Sequence, residues 1–105
     1  MDKIAMLTTI LQQNPADSFA RYGLAMAHLS DGNTDAALTE FDATIQHNPD
    51  YVPAYQMAGQ TLAKLHRTDE AKQRLTGGLG AAQRTGNRHA ASEMQALLDE
   101  LELGY

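Results

Sequence analysis

Residues 14–49 read Asn14-Pro15-Ala16-Asp17-Ser18-Phe19-Ala20-Arg21-Tyr22-Gly23-Leu24-Ala25-Met26-Ala27-His28-Leu29-Ser30-Asp31-Gly32-Asn33-Thr34-Asp35-Ala36-Ala37-Leu38-Thr39-Glu40-Phe41-Asp42-Ala43-Thr44-Ile45-Gln46-His47-Asn48-Pro49. The stretch begins and ends on the same Asn-Pro dipeptide, 34 residues apart. The same offset relates Ala20 to Ala54, Thr34 to Thr68, Asp35 to Asp69, Ala37 to Ala71, Phe41 to Leu75 and Ile45 to Leu79. A single period shared by that many positions marks two copies of one unit.

Each copy reads as two helices. Asp17 to Ser30 carries apolar residues at helical spacing, and Asp31-Gly32-Asn33 ends the run, glycine entering the left-handed conformation cheaply. Thr34 is expected to cap a second helix, with Asp35 complementing its N-terminus, and Asn48-Pro49 stops it near His47. The second copy repeats the plan. A helix from Tyr51 to about Leu65 leads to a turn at His66-Arg67, and a helix capped by Thr68 runs into the low 80s. Flanking helices are expected over residues 2–13, with Ile4, Leu7 and Leu11 on one stripe, and over 88–103 after a Gly86-Asn87 stop and cap. On the last helix Ala90, Ala91, Met94, Leu97, Leu98 and Leu101 share a stripe. The expectation is one all-α domain of six antiparallel helices over residues 1–105: a half repeat (1–15), two full repeats (16–49 and 50–85) and a C-terminal cap (86–105).

Composition agrees. The chain has 105 residues, no cysteine and no tryptophan. Thiolate metal sites, disulfides and thiol catalysis are excluded. Net charge is −5, from 8 basic and 13 acidic residues, which argues against nonspecific nucleic-acid binding. Six of the basic residues (Lys64, Arg67, Lys72, Arg74, Arg84, Arg88) fall within 51–88, as a solvated helix face or a patch for an acidic peptide. No apolar run approaches the roughly 20 residues that span a bilayer, so no membrane role is expected and the protein is expected to be cytoplasmic.

The repeat unit resembles the tetratricopeptide repeat, a helix–turn–helix of the same length, and the chain looks like the small stand-alone bacterial members. The matching residues are Leu24, Ala25, Gly32, Ala37, Phe41 and Pro49 in the first copy and Tyr55, Gly59, Ala71, Leu75 and Gly78 in the second. The resemblance implies an α–α superhelix. Three positions depart from the pattern. Arg21 stands at a site of large apolar residues, its aliphatic stem covering the core edge and Asp17 its expected partner. His66 replaces the turn glycine, which implies strain. Gln83 replaces the closing proline, so the helix there is expected to run on to Arg84 or Thr85.

Candidate chemistry is sparse. His28, His47, His66 and His89 lie far apart, without the paired spacing of a zinc site, and each is expected to be satisfied or exposed. Asp31 to Asp35 resembles the start of a calcium loop, but Ala36 occupies the sharp-turn position and Asp42 the closing one. Gly77-Gly78-Leu79-Gly80 lacks the lysine and the preceding strand of a phosphate loop. Its glycines are expected inside a helix, packed closely, in the softest helical segment. No cofactor, metal or catalytic set emerges, and the chain is not expected to be an enzyme.

The resemblance places the first helix of each repeat on a partner-binding groove. Phe19, Tyr22, Met26 and Ser30 then face it from the first copy, and Pro53, Gln56, Gln60 and Lys64 from the second. Their spacing independently puts each set on one helix stripe, apart from the core stripe of Leu24, Ala25 and His28 or Tyr55, Ala58, Gly59 and Leu62. Phe, Tyr and Met offer apolar contact and the amides can bond a peptide backbone. The alternative is that Phe19, Tyr22 and Met26 pack against the N-terminal helix. The Lys, Asn and Arg set with which some members clamp a peptide carboxylate is absent from the matching positions Tyr22, Gly23, Met26, Gln56, Met57 and Gln60. The expected role is a protein- or peptide-binding adaptor, with self-association as a homodimer the competing one.

Overall fold

The computed structural model describes residues 2–104, so Met1 and Tyr105, the ends of the expected half repeat and cap, lie outside the described residues. Six helices follow one another, with no strand among the described residues: α1 (Lys3–Gln13), α2 (Ser18–Ser30), α3 (Thr34–His47), α4 (Val52–Lys64), α5 (Thr68–Thr85) and α6 (Arg88–Glu102). They form two compact units of three helices each, dividing between Asn48 and Pro49. The fold is all-α and of the tetratricopeptide type.

The turns explain the helix ends. Gly32, His66 and Gly86 take positive φ values of 80°, 59° and 71°. The next residue in each case donates its backbone N–H five residues back: Asn33 to His28 at 2.8 Å, Arg67 to Leu62 at 2.9 Å and Asn87 to Ala82 at 2.8 Å. These bonds satisfy helix carbonyls that would otherwise be orphaned. They also leave Asn33, Arg67 and Asn87 non-helical, so these residues become the N-caps of the following helices. Thr34 and Thr68 are therefore the first helical residues and not the caps expected from sequence. Of the three, Asn87 caps with its side chain, accepting from Ala90 N–H at 3.1 Å. The strain expected at His66 is realised as a non-glycine residue in left-handed backbone.

In the first unit Ile4 and Leu7 of α1 pack on the buried cluster of Leu11, Ala20 and Leu24. Gly23 faces Leu7 without crowding. Phe41 is fully buried on α3, and the buried Thr44 hydroxyl donates to the Glu40 carbonyl at 2.8 Å. In the second unit Gly59 admits Leu75; a Cβ at Gly59 would lie 2.5 Å from Leu75 Cδ2. Gly78 admits Met94 of α6 and Tyr55 of α4 just as closely. α5 has 18 residues against 14 in α3, ending at Thr85 with Gly86 as its left-handed stop. Without a proline at Gln83 the helix gains a turn.

Arg21 does not pair with Asp17. Asp17 caps α2, accepting from Ala20 N–H at 2.9 Å. The guanidinium instead reaches Glu40 of α3 at 3.0 Å and the Pro15 carbonyl at 3.1 Å. The N-cap role holds the short Asp17 side chain against its own helix start, whereas Glu40 lies within reach of the long arginine.

Candidate partner-binding surfaces

The stripe expected on α2 divides by depth. Phe19, at the second residue of the helix, is 78% exposed. Tyr22 is half-buried, its ring 5.8 Å from that of Phe41 and tilted by 51°. Tyr22 thus leans on α3. Half-buried Met26 and exposed Ser30 line a cleft of about 430 Å3 with Lys3 and Ile4 at the start of α1. Asp2 and Asp31 complete its rim.

On α4, Pro53 is exposed in the first turn, where its missing N–H costs the helix nothing. Gln56 is half-buried. Half-buried Gln60 and exposed Lys64 join Ala63 on one wall of a cleft of about 260 Å3, whose other wall is Leu97, Glu100 and Leu101 of α6. Sequence reasoning placed Leu97 and Leu101 together on the α6 core stripe. The structure buries Leu101 and leaves Leu97 half-exposed at the cleft. Glu100 carries no sequence signal for the cleft, since its helix bears only the marks of a cap.

The basic stretch of 51–88 is largely occupied. Arg67 grips Glu70 with both branches, Nε to Oε1 at 3.0 Å and Nη2 to Oε2 at 2.6 Å. That hydrogen bond, helped by the Arg67 and Arg74 charges, holds the Glu70 carboxyl below its ordinary range. Arg84 donates to Asp50 at 2.7 Å and to the Pro49 carbonyl at 3.0 Å, and the Asp50 bond pushes its guanidinium above the ordinary arginine value. Lys72 lies 3.5 Å from Glu102, and Arg74 donates to Gln73. An acidic-peptide patch built from these cations is not what the structure presents; each already has a partner within the second unit.

The histidines fall in two groups. His47, His66 and His89 are exposed, and His89 lies 3.0 Å from Glu93. His28 departs from expectation: it is half-buried, and its Nδ1 has no hydrogen-bond partner among the described residues. No cluster of three or more metal-ligating side chains occurs among the described residues. None of their helices is long and apolar enough to cross a membrane.

Paired helices at a 34-residue period, tight left-handed turns and small residues at the packing contacts define a helical repeat protein. Comparison with known proteins makes this specific. The tetratricopeptide repeat model matches residues 4–58 and 28–99. A tetratricopeptide repeat domain protein from Salinibacter ruber, solved by NMR, is 34% identical with a TM-score of 0.80, over 88% of this chain and 93% of that one. A Bordetella parapertussis protein is 27% identical with a TM-score of 0.78, over 97% and 89%. The TPR2B domain of yeast Sti1, solved in a complex with pHsp70, matches with a TM-score of 0.86 over 97% and 82%; at 17% identity the likeness is one of fold. No curated protein matches the chain. The chain belongs to the tetratricopeptide repeat family, whose fold is a protein–protein interaction module and whose members are generally scaffolds and not enzymes.

Proposed function

We propose that this chain is an adaptor that holds a protein or peptide partner on the outward stripes of α2 and α4. The observation that carries this reading is Phe19, a large aromatic left 78% exposed on the stripe that also bears Tyr22 and Met26. Exposed aromatics of this kind anchor interfaces. On α4 the stripe is polar, and Gln60 and Lys64 border an open cleft. The acidic balance of the chain disfavours nucleic acid as the partner, and a cytoplasmic setting without membrane attachment is part of the proposal.

The test is capture from host extract by wild type and by the variant Phe19→Ala, Gln60→Ala, Lys64→Ala, with mass spectrometry of what is retained. None of the three is buried, so the circular dichroism spectrum should not change. The expected result is loss of the retained partner. Equal capture by a folded variant rules these stripes out.

A second reading, self-association, is favoured by α1. From Ile4 to Ala16 there is no charged side chain, and Met6 and Ile10 are 47% and 38% exposed. The hydroxyls of Thr8 and Thr9 turn back to the Ile4 and Ala5 carbonyls at 2.7 and 3.0 Å, so the outward surface of this helix carries little that binds water strongly. A monomer by light scattering at high micromolar concentration excludes this reading.

A further inference from the structure

The cleft between α4 and α6 carries two opposite charges, and neither is neutralised. Lys64 stands on the α4 wall and Glu100 on the α6 wall. Neither side chain has an ion-pair or hydrogen-bond partner among the described residues, although Arg67, Lys72, Arg84 and Glu102 nearby in the sequence are all paired. Between them the lining is apolar, from Ala63, Leu97 and Leu101, with the Gln60 amide beside it. We infer that this cleft binds an extended peptide segment in which one aliphatic side chain is flanked by an acidic residue on one side and a basic residue on the other. The aliphatic group enters between the leucines, Gln60 bonds the peptide backbone, the acidic residue meets Lys64 and the basic residue meets Glu100. The inference rests on the reading of α4 as partner-facing and gives that partner a sequence pattern.

The two charges are not equivalent. Lys64 lies in the last turn of α4, where a cation already compensates the negative end of the helix dipole. Glu100 lies near the end of α6, whose last turn holds no basic residue. An anion there opposes its own helix, and a cationic side chain arriving from a partner relieves that repulsion as well as pairing with the carboxylate. Glu100 therefore contributes more of the preference than Lys64. The apolar lining supplies affinity common to any leucine-bearing peptide, and the two charges supply the orientation.

The experiment is fluorescence anisotropy of the full chain with five labelled peptides, identical except around one central leucine: acidic–leucine–basic, the reverse order, neutral on both sides, acidic on both sides and basic on both sides. One mixed order is expected to bind about tenfold tighter than the neutral peptide, the product of two partly exposed ion pairs, with the preference shrinking as salt is raised. Glu100→Gln should erode the preference more than Lys64→Gln. The exchange Lys64→Glu with Glu100→Lys should transfer it to the opposite order. Equal binding of all five peptides, or an exchange variant that keeps the original preference, overturns the inference while leaving α4 as a partner-facing helix. If no peptide binds and the Phe19, Gln60, Lys64 variant captures partner like wild type, the peptide reading and the functional reading fall together.

Discussion

Arg21 and Tyr55, 34 positions apart and chemically unlike, reach the carbonyls of equivalent prolines, each just ahead of its own repeat. Arg21 Nη2 donates to the Pro15 carbonyl at 3.1 Å, and Tyr55 Oη donates to the Pro49 carbonyl at 2.7 Å. The prolines are themselves 34 residues apart. Each bond ties a repeat's first helix to the segment that enters it. Arg21 adds an ion pair to Glu40, with side-chain exposures of 17% and 22%. Arg21→Ala is expected to lower stability by about 1–2 kcal/mol, for a charged hydrogen bond at a partly buried site. Arg21→Tyr should recover part of that loss by adopting the solution of the second copy. Urea midpoints of the three proteins check this; a tyrosine variant no better than alanine would show that the Pro15 bond contributes nothing.

The period, the six helices and most of the core were legible because they rest on apolar spacing and on Gly and Pro. Phe41, Leu75 and Ala37 with Ala71 are buried where the repeat demanded it. Cap identity was less legible. Threonine's preference for N-caps favours Thr34 and Thr68. The backbone bond from Asn33 to His28, and its counterpart from Arg67 to Leu62, decide otherwise by holding the preceding residue out of the helix. Local propensity lost to a turn whose geometry spans six residues. The partner of Arg21 is hidden from the sequence for a related reason: Glu40 is distant in sequence and belongs to another helix.

His66 occupies the turn position that Gly32 holds in the first repeat, at φ 59° against 80°. A side chain in left-handed backbone costs about 1–2 kcal/mol, part of which a glycine returns through the freedom of its unfolded chain. His66→Gly is expected to stabilise the protein by about 0.5–1 kcal/mol, and Gly32→Ala to destabilise it by about 1 kcal/mol. Both sites are exposed, and no heavy atom lies within 4 Å of a Cβ built at Gly32, so backbone conformation is the main variable. Thermal melts of the two variants should move in opposite directions.

The glycines of α5 differ in purpose. A Cβ at Gly78 would stand 2.5 Å from Met94 Sδ and 2.7 Å from Tyr55 Cβ, whereas at Gly80 the nearest atom is the flexible Arg84 Nη1 at 3.4 Å. Gly80→Ala is therefore expected to stabilise by up to about 1 kcal/mol, the helix-propensity difference. Gly78→Ala should destabilise by about 1–3 kcal/mol through overpacking. Amide exchange across residues 77–80 should be faster than across 34–47 in the wild type and slow in Gly80→Ala. Equal protection of the two segments in the wild type would mean that packing on Tyr55 and Met94 fully offsets the glycines.

The candidate surface was half legible. Stripe membership follows from spacing, so Phe19, Met26, Gln60 and Lys64 could be placed on their helices from sequence. Depth could not. Tyr22 shares a stripe with Phe19, yet its ring meets Phe41, and which neighbour a helix face meets is a tertiary fact. Glu100 joined the cleft for the same reason.

Arg67 and Glu70 bracket the start of α5, and their bidentate contact makes stability depend on pH in a direction that can be worked out. Glu70 is ionised more readily in the folded chain than in the unfolded one, chiefly through its hydrogen bond to Arg67. Its contribution is therefore complete above the unfolded carboxylate value, near 4.5, and is lost as pH falls through the lower folded value. Glu70→Gln should be less stable than wild type at pH 7, with the difference narrowing below that value and closing in stronger acid. Arg67→Ala should raise the Glu70 titration midpoint, measured from its side-chain carboxyl carbon by NMR. Parallel stability curves for wild type and Glu70→Gln down through the acid range would mean that the contact is broken in solution, where both side chains are open to water.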